Sequence, residues 1–250
     1  MGTWTLLRKE LLRFWRVVFQ TVAAPVITGI LYLLIFSHVL DSRLEVYEGV
    51  AYMAFLIPGL IMMSLLQNAF SNSSSSLIQA KVMGNIVFLL LTPLSYIQLF
   101  FAFLISAIAR GIFVGICIYL IATFYIDLPI KHPWIVFSFA FFGGGLMGAF
   151  GIIAGVWAER FDQMAAFGNF VIMPLSMLSG VFYSIHSLPL SWQKVSQLNP
   201  FFYMIDGFRY GFFGQSDVSP YFSLSVVILF FIALSYITIK MLKSGYKLRG

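Results

Sequence analysis

The side chains able to do chemistry in this chain are few, and their spacing argues against catalysis. His38, His132 and His186 fall near the expected outer ends of apolar runs, far apart in sequence. A metal site needs several ligands converging on one ion, so separate interfacial histidines are the plainer reading. No Gly-Lys pair occurs anywhere, which removes the G-x-x-x-x-G-K-[ST] phosphate loop and ATP hydrolysis by that route. The H-E-x-x-H and G-x-S-x-G signatures are missing too. Cys117 is the one cysteine, so no intrachain disulfide forms, and a small packing residue is its default role. Arg110 is the exception that demands an explanation. An Arg at the centre of a span costs about 2.5 to 3.5 kcal/mol on insertion scales. It either snorkels toward the cytoplasm, with the span proper beginning near Leu104, or pairs with an acid, for which Glu159 is the candidate.

These residues sit in a chain built for lipid. Of 250 residues, 60% are hydrophobic and only 10% charged, against about half and roughly a quarter in soluble domains. Spans need about 20 apolar residues as helix, and six such runs are expected at 22–40, 51–70, 98–126, 134–157, 164–183 and 219–241. The fold class is therefore all-α and polytopic. Ahead of the spans, Trp4, Leu7, Leu11, Phe14 and Val18 recur at helical spacing, with Lys9, Arg13, Arg16 and Gln20 on another face. Residues 1–21 read as an amphipathic helix lying in the membrane interface. The first apolar run is long and ends in SHVLDS without a cleavage pattern, so it reads as a retained span.

Charge placement orients the spans. Arg8, Lys9, Arg13, Arg16, Lys240, Lys243, Lys247 and Arg249, with Lys81 and Arg160, fall inside, whereas Arg43, Lys131, Lys194 and Arg209 fall outside. That bias predicts cytoplasmic termini, since acids such as Asp41, Glu45 and Glu48 count little. The net charge of +6 thus matches anionic membrane lipid rather than nucleic acid.

Two connections stand out. At 71–96, a serine run fit to cap a helix and a Pro93 fit to open the next flank a structured cytoplasmic loop. At 184–218, Leu188–Leu198 suits a short interfacial helix with Trp192 at headgroup level, Asn199-Pro200 breaks it, and a second short helix follows from Phe201 to Phe213. Polar backbone at membrane depth requires a covering of protein or water, so this segment reads as a re-entrant or interfacial hairpin closing the outer end of a pathway. The pairs Gly111/Gly115, Gly144/Gly148 and Gly151/Gly155 permit close helix approach, within one subunit in preference to a dimer seam.

Taken together, the residues resemble the permease subunits of ABC-2 type exporters, the family that includes bacterial drug and polysaccharide export permeases. The resemblance rests on Pro174, the Ser179–Tyr183 exit, Leu188-Pro189, Leu198-Asn199-Pro200 and Arg209. It extends to Ala24–Thr28, Ile57–Ser64, Leu89–Pro93 and Ala109–Ile116, nearly the whole chain. It implies a single ABC-2 transmembrane domain over 1–250 in the bacterial inner membrane, a homodimer, and a separate ATPase subunit in two copies. ATP and Mg would bind in that partner, with no cofactor in this chain. Residues 79–92 would form the coupling helix, placing Gln79, Lys81, Gly84, Val87, Phe88 and Leu91 at the ATPase, with Glu159 and Arg160 beside the contact. The loop departs from the family in being neutral after Lys81, so apolar docking must carry more of that contact. The substrate path would run between the second and fifth spans, with Phe55, Met62, Met63, Asn68, Asn169, Phe170, Met173 and Met177 as candidates, although Met and aromatic residues also fill ordinary cores. Pro189, Trp192, Asn199, Pro200 and Arg209 would shape the outer hairpin. The expected function is export of a hydrophobic, lipid-like or drug-like substrate, or a polysaccharide; the alternative is a membrane scaffold or assembly factor. An intramembrane enzyme is disfavoured because no catalytic constellation is present.

Overall fold

The computed structural model describes residues 2–39, 45–47 and 49–248. Asp41, Arg43, Glu48 and Arg249 lie outside the described residues, as do the side chains of His38 and Glu45. Helix α1, Gly2–Arg16, lays Leu6, Glu10 and Phe14 inward, and α2, Val18–Val39, leaves it at a bend of 57°. The bend falls where the basic end of α1 gives way to an apolar run, so α2 begins four residues earlier than the expected span. A short antiparallel hairpin follows, β1 Glu45–Tyr47 and β2 Val50–Ala51, a strand pair the all-helical reading did not include.

The central helix α3, Tyr52–Val82, runs 31 residues. At 1.5 Å per residue that is about 46 Å, well beyond the hydrocarbon. The serine run does not cap a helix, contrary to the sequence expectation; it lies inside α3, where Asn72, Ser73, Ser74 and Ser76 are buried. The reason is the neighbouring helix α6, Pro133–Trp157. A Cβ on Gly151 would stand 2.5 Å from the Phe70 carbonyl oxygen, and one on Gly155 would stand 2.8 Å from Leu77 Cβ and 3.1 Å from the Ser74 carbonyl oxygen. Small residues on both helices let the backbones touch. The other glycine pairs also face their own chain, Gly111 and Gly115 against Leu65, Gly148 against Leu104 and Ala107.

Helix α4, Ile86–Leu91, is a short element between α3 and the next long helix. Pro93 does not open the next helix: α5, Tyr96–Ala122, is capped by Ser95, whose Oγ accepts from the Gln98 N–H while Gln98 Oε1 accepts from the Ser95 N–H. This reciprocal box satisfies two donors that Pro93 could not.

The expected fifth span at 164–183 takes another form. Helix α7, Phe161–Phe167, passes through a π-helical turn at Gly168–Ile172 into α8, Met173–Met177. Pro174 has no N–H to continue the α ladder, and wider turns commonly absorb such a defect. The chain leaves helix before Gly180, which takes the left-handed φ of 75°. Then follow α9, Leu190–Gln197, α10, Pro200–Phe213, and α11, Pro220–Ser244. Helices α3, α5, α6 and α11 are each long and apolar enough to cross a membrane, and the bent α1–α2 pair is a fifth candidate. The chain is an all-α polytopic membrane protein with α3 at its centre, packed on α5, α6 and α10.

Candidate functional site

The connection from α3 to α5 presents an exposed apolar surface. Gly84, with φ 71°, turns the chain from the end of α3 into α4, a conformation that costs other residues. Beyond it Val87 is 55% exposed, Phe88 71% and Leu91 75%, and Gln79 is exposed as well. Lys81 points elsewhere: its Nζ donates to the carbonyl oxygens of Val156 at 2.6 Å and Ala158 at 2.7 Å. It thereby caps the C-terminal end of α6, where unpaired carbonyls favour a cation. Glu159 follows in the same turn and accepts from Lys247 Nζ at 2.9 Å. That hydrogen bond holds its carboxyl below the usual range and raises the Lys247 ammonium. Arg160 is exposed next to it. The structure therefore gathers Lys81, Glu159 and Lys247 into one structural corner, leaving Val87, Phe88 and Leu91 as the open face.

Glu159 is not the partner of Arg110. The Arg110 guanidinium sits among α1, α2 and α3: Nη2 lies 3.3 Å from Asn68 Oδ1 on α3 and 3.4 Å from Thr21 Oγ1 on α2, and the group stands 5.6 Å from the Phe14 ring on α1. Neutral amide and hydroxyl oxygens stand where the pairing alternative put a carboxylate. Close by, Arg13 donates to Glu10 at 3.1 Å, to the Asn72 carbonyl at 2.7 Å and to Ser75 at 3.2 Å, while Asn72 donates to Ser106 at 2.9 Å. Glu10 is fully buried. It was not foreseen from sequence, although an acid three residues before an Arg on one helix face is a pairing signal.

Between α3 and the α7–α8 segment lies a groove of about 320 Å³, lined on one side by Gln67, Phe70, Ser71 and Ser74. Opposite stand Met164, Gly168, Asn169, Ile172 and Met173. Phe55, Met62 and Met63, expected on a path, are instead buried in the core, and Asn68 is engaged with Arg110. Only Asn169 and Met173 among the eight path candidates line this groove; Phe170 and Met177 are exposed on the same segment. No periodicity announced the missed residues, since Gln67, Ser71 and Ser74 sit in a stretch, Gln67–Ser76, that is polar at most positions.

The end of α3 opposite α4 is clamped by buried charge. Arg209 is 1% exposed. Its Nε donates to the Phe55 carbonyl at 3.2 Å, its Nη2 donates to Gly180 at 2.9 Å, and its guanidinium lies 3.6 Å from the Phe55 ring centroid. Asn199 Oδ1 caps α10 by accepting from the Phe201 N–H, with Pro200 in the first turn, and its Nδ2 donates to the Leu175 carbonyl at 2.6 Å. Pro189 precedes α9, and Trp192 stands half exposed on it. Asp206 accepts from the N–H groups of Asp217 and Val218; burial outweighs those bonds and pushes its carboxyl up to about 6. Asp217 in turn accepts from Tyr47 at 2.9 Å, Ser184 at 2.7 Å and the Ile185 N–H at 2.8 Å. Burial raises the Tyr47 hydroxyl. Asp206, Asp217 and Tyr47 were not foreseen from sequence, since their partners lie up to 170 residues away.

Comparison with known proteins supplies the last observation. The sequence model described as ABC-2 type transporter matches residues 1–213. The inner membrane transport permease YadH of Escherichia coli (strain K12) is 39% identical over 243 residues, covering 97% of this chain and 94% of YadH. The YadH of Shigella flexneri matches equally. The capsule polysaccharide export inner-membrane protein BexB of Haemophilus influenzae is 27% identical over 147 residues, 57% of this chain and 52% of BexB.

Proposed function

The chain belongs to the ABC-2 type transporter family, and from that premise we propose that it is the membrane half of an exporter of the bacterial inner membrane, with both termini cytoplasmic. As a permease of this family it is a transport subunit, not an enzyme, and works with a separate ABC ATPase. The finer reading is a homodimer above two ATPase copies, which hold the ATP and Mg. The segment Phe161–Met177 serves as the sixth crossing; its 17 helical residues reach about 25 Å, nearly the hydrocarbon thickness.

The observation that carries this reading is the open apolar face at the foot of α3. Val87, Phe88 and Leu91 are exposed on a six-residue helix held by the Gly84 turn and the Ser95 box, and exposed apolar patches mark interaction sites. Docking there pushes on α3, and nucleotide-dependent closure of the ATPase pair must favour one arrangement of the spans over the other. The groove beside α3 supplies the path. Its lining is hydroxyl, amide and apolar with no charge, which supports an uncharged amphipathic or lipid-like substrate.

The test is co-purification. A C-terminally tagged chain is extracted from its native membrane in mild detergent, beside a Val87→Asp, Phe88→Asp variant. An ABC ATPase accompanying the wild type and lost from a still-folded variant supports the reading. If none appears even after crosslinking in the membrane, the energy source is gone, and the scaffold alternative takes its place.

A further inference from the structure

We infer that the cleft between α1 and α4 is a binding site for one anionic phospholipid of the cytoplasmic leaflet, and that its occupancy tunes the coupling loop. The cleft holds about 700 Å³ and is walled by Leu6 on α1, Ala80 on α3, Phe88 and Leu89 on α4, and Leu94 and Phe103 at the start of α5. That volume lies within the range of sites for small ligands. Thr5 and Lys9 line both this cleft and a second hollow of about 470 Å³ along α1, where Arg8, Arg13 and Arg16 stand. A largely apolar cleft, with Ser76, Asn85 and Thr92 also in its lining, thus shares Thr5 and Lys9 with a basic hollow.

Charge complementarity selects the occupant. The one acid of α1 is Glu10, which is turned inward and bound to Arg13. Arg8 and Arg16 are exposed, and the Lys9 side chain is 66% exposed, with Nζ 4.0 Å from Glu10. The outward side of α1 therefore offers cations to a phosphate, as interfacial helices offer them to anionic lipid. Phe103 and Leu94 place the chamber where α5 enters the membrane, the depth at which acyl chains begin. The regulatory part rests on the proposed coupling role of α4, because Phe88 and Leu89 form a wall of the chamber: a chain lying against them restricts how α4 can tilt.

Native mass spectrometry of the purified chain, titrated with phosphatidylglycerol or phosphatidylcholine, tests the site. Wild type should retain phosphatidylglycerol selectively. An Arg8→Gln, Lys9→Gln variant should bind it about thirtyfold more weakly, two cations each contributing about 1 kcal/mol near a surface. A Lys240→Gln, Lys243→Gln control with the same charge loss should match wild type, and Ala80→Trp should expel the lipid by filling the chamber. The site is overturned if the Arg8, Lys9 variant equals the control, if both lipids bind alike, or if glycerol phosphate competes as well as the lipid, which would mark a free-anion site. For the regulatory part, phosphatidylglycerol in phosphatidylcholine vesicles should change ATPase activity of the assembled complex for wild type and not for Ala80→Trp. An equal response in both overturns it. Failure of any ATPase to co-purify would sink the transporter reading while leaving lipid retention intact.

Discussion

Replacing Arg209 with Met tests whether the outer clamp holds the central helix. The substitution keeps an unbranched apolar stem but removes the donors to Phe55 at 3.2 Å and Gly180 at 2.9 Å, and the stacking at 3.6 Å over Phe55. Each buried carbonyl left without its charged donor costs about 1 to 3 kcal/mol, and a desolvated cation–π contact adds about 2 kcal/mol. Against this stands the relief of no longer burying a guanidinium, so the net loss should be about 3 to 5 kcal/mol. Taking about 2 to 4 °C per kcal/mol for a chain of this size, the melting midpoint should fall by about 6 to 20 °C. Fluorescence-detected size-exclusion chromatography after heating in detergent reads this directly. Arg209→Lys should lie between the two, because a lysine ammonium is a point donor that cannot reproduce the fork. A midpoint for Arg209→Met within a degree or two of wild type would refute the reasoning, and the buried guanidinium would then be incidental to the hairpin.

Other perturbations separate the remaining elements. Gly155→Leu should disrupt the α3–α6 contact, where even a Cβ would stand 2.8 Å from Leu77, and should abolish a monodisperse chromatographic peak; normal folding would refute that packing. Lys81→Met should lower thermal stability by about 1 to 3 kcal/mol, the cost of uncapping the α6 carbonyls, while leaving ATPase co-purification intact; loss of the ATPase from a stable variant would return Lys81 to the docking face. Because Glu159 and Lys247 pair at the surface, Glu159→Gln should leave the melting midpoint unchanged within error. Asp206 gives a pH dependence of defined sign. Its folded carboxyl titrates near 6 against the ordinary 3.8, so the folded state binds the proton more tightly and stability falls as pH rises between those values. Asp206→Asn should flatten that slope in melting curves, and an unchanged slope would assign it to another group.

What could be read from sequence followed from hydropathy and from chain breakers. The apolar runs located α3, α5, α6 and α11, and Asn199-Pro200 located the junction between α9 and α10. The lower end of α3 was missed because hydropathy scores Ser71–Ser76 as polar and ends the span there. In the structure Ser73, Ser74 and Ser76 are buried, the Ser74 hydroxyl returning to the Phe70 carbonyl at 2.9 Å, and small residues there admit Gly155. Which side of α3 faces a path was equally hidden, since a helix apolar all round has no periodicity to read. Phe55 and Met62 therefore looked no different from residues lining a groove. Arg110 was identified as costly, but its partners lie on α2 and α3, and no local spacing announces a pair so distant.

These contacts determine which part of the molecule can move. Helix α3 is anchored above by Arg209 and along its length by glycine contacts with α5 and α6 that place backbone against backbone. It is held below by Arg13, which bonds to Asn72 and Ser75. A helix so fixed transmits displacement as a rod, because packed interiors give little. The opposite wall of the groove is built differently: along α7, the π turn and α8, only Ile172 and Ser176 are buried, and the turn itself interrupts the regular ladder. If α4 takes up the ATPase as proposed, force entering there reaches the groove through a wall that cannot deform and meets one that can. The groove should change width by movement of the Phe161–Met177 segment about Gly168–Ile172, with the α3–α6 pair as the fixed frame. Distances measured by spin labels at Gln67 and Ala165 should change with nucleotide in the assembled transporter, whereas a pair at Gln79 and Arg160 should not; the reverse pattern would make α3 the moving part.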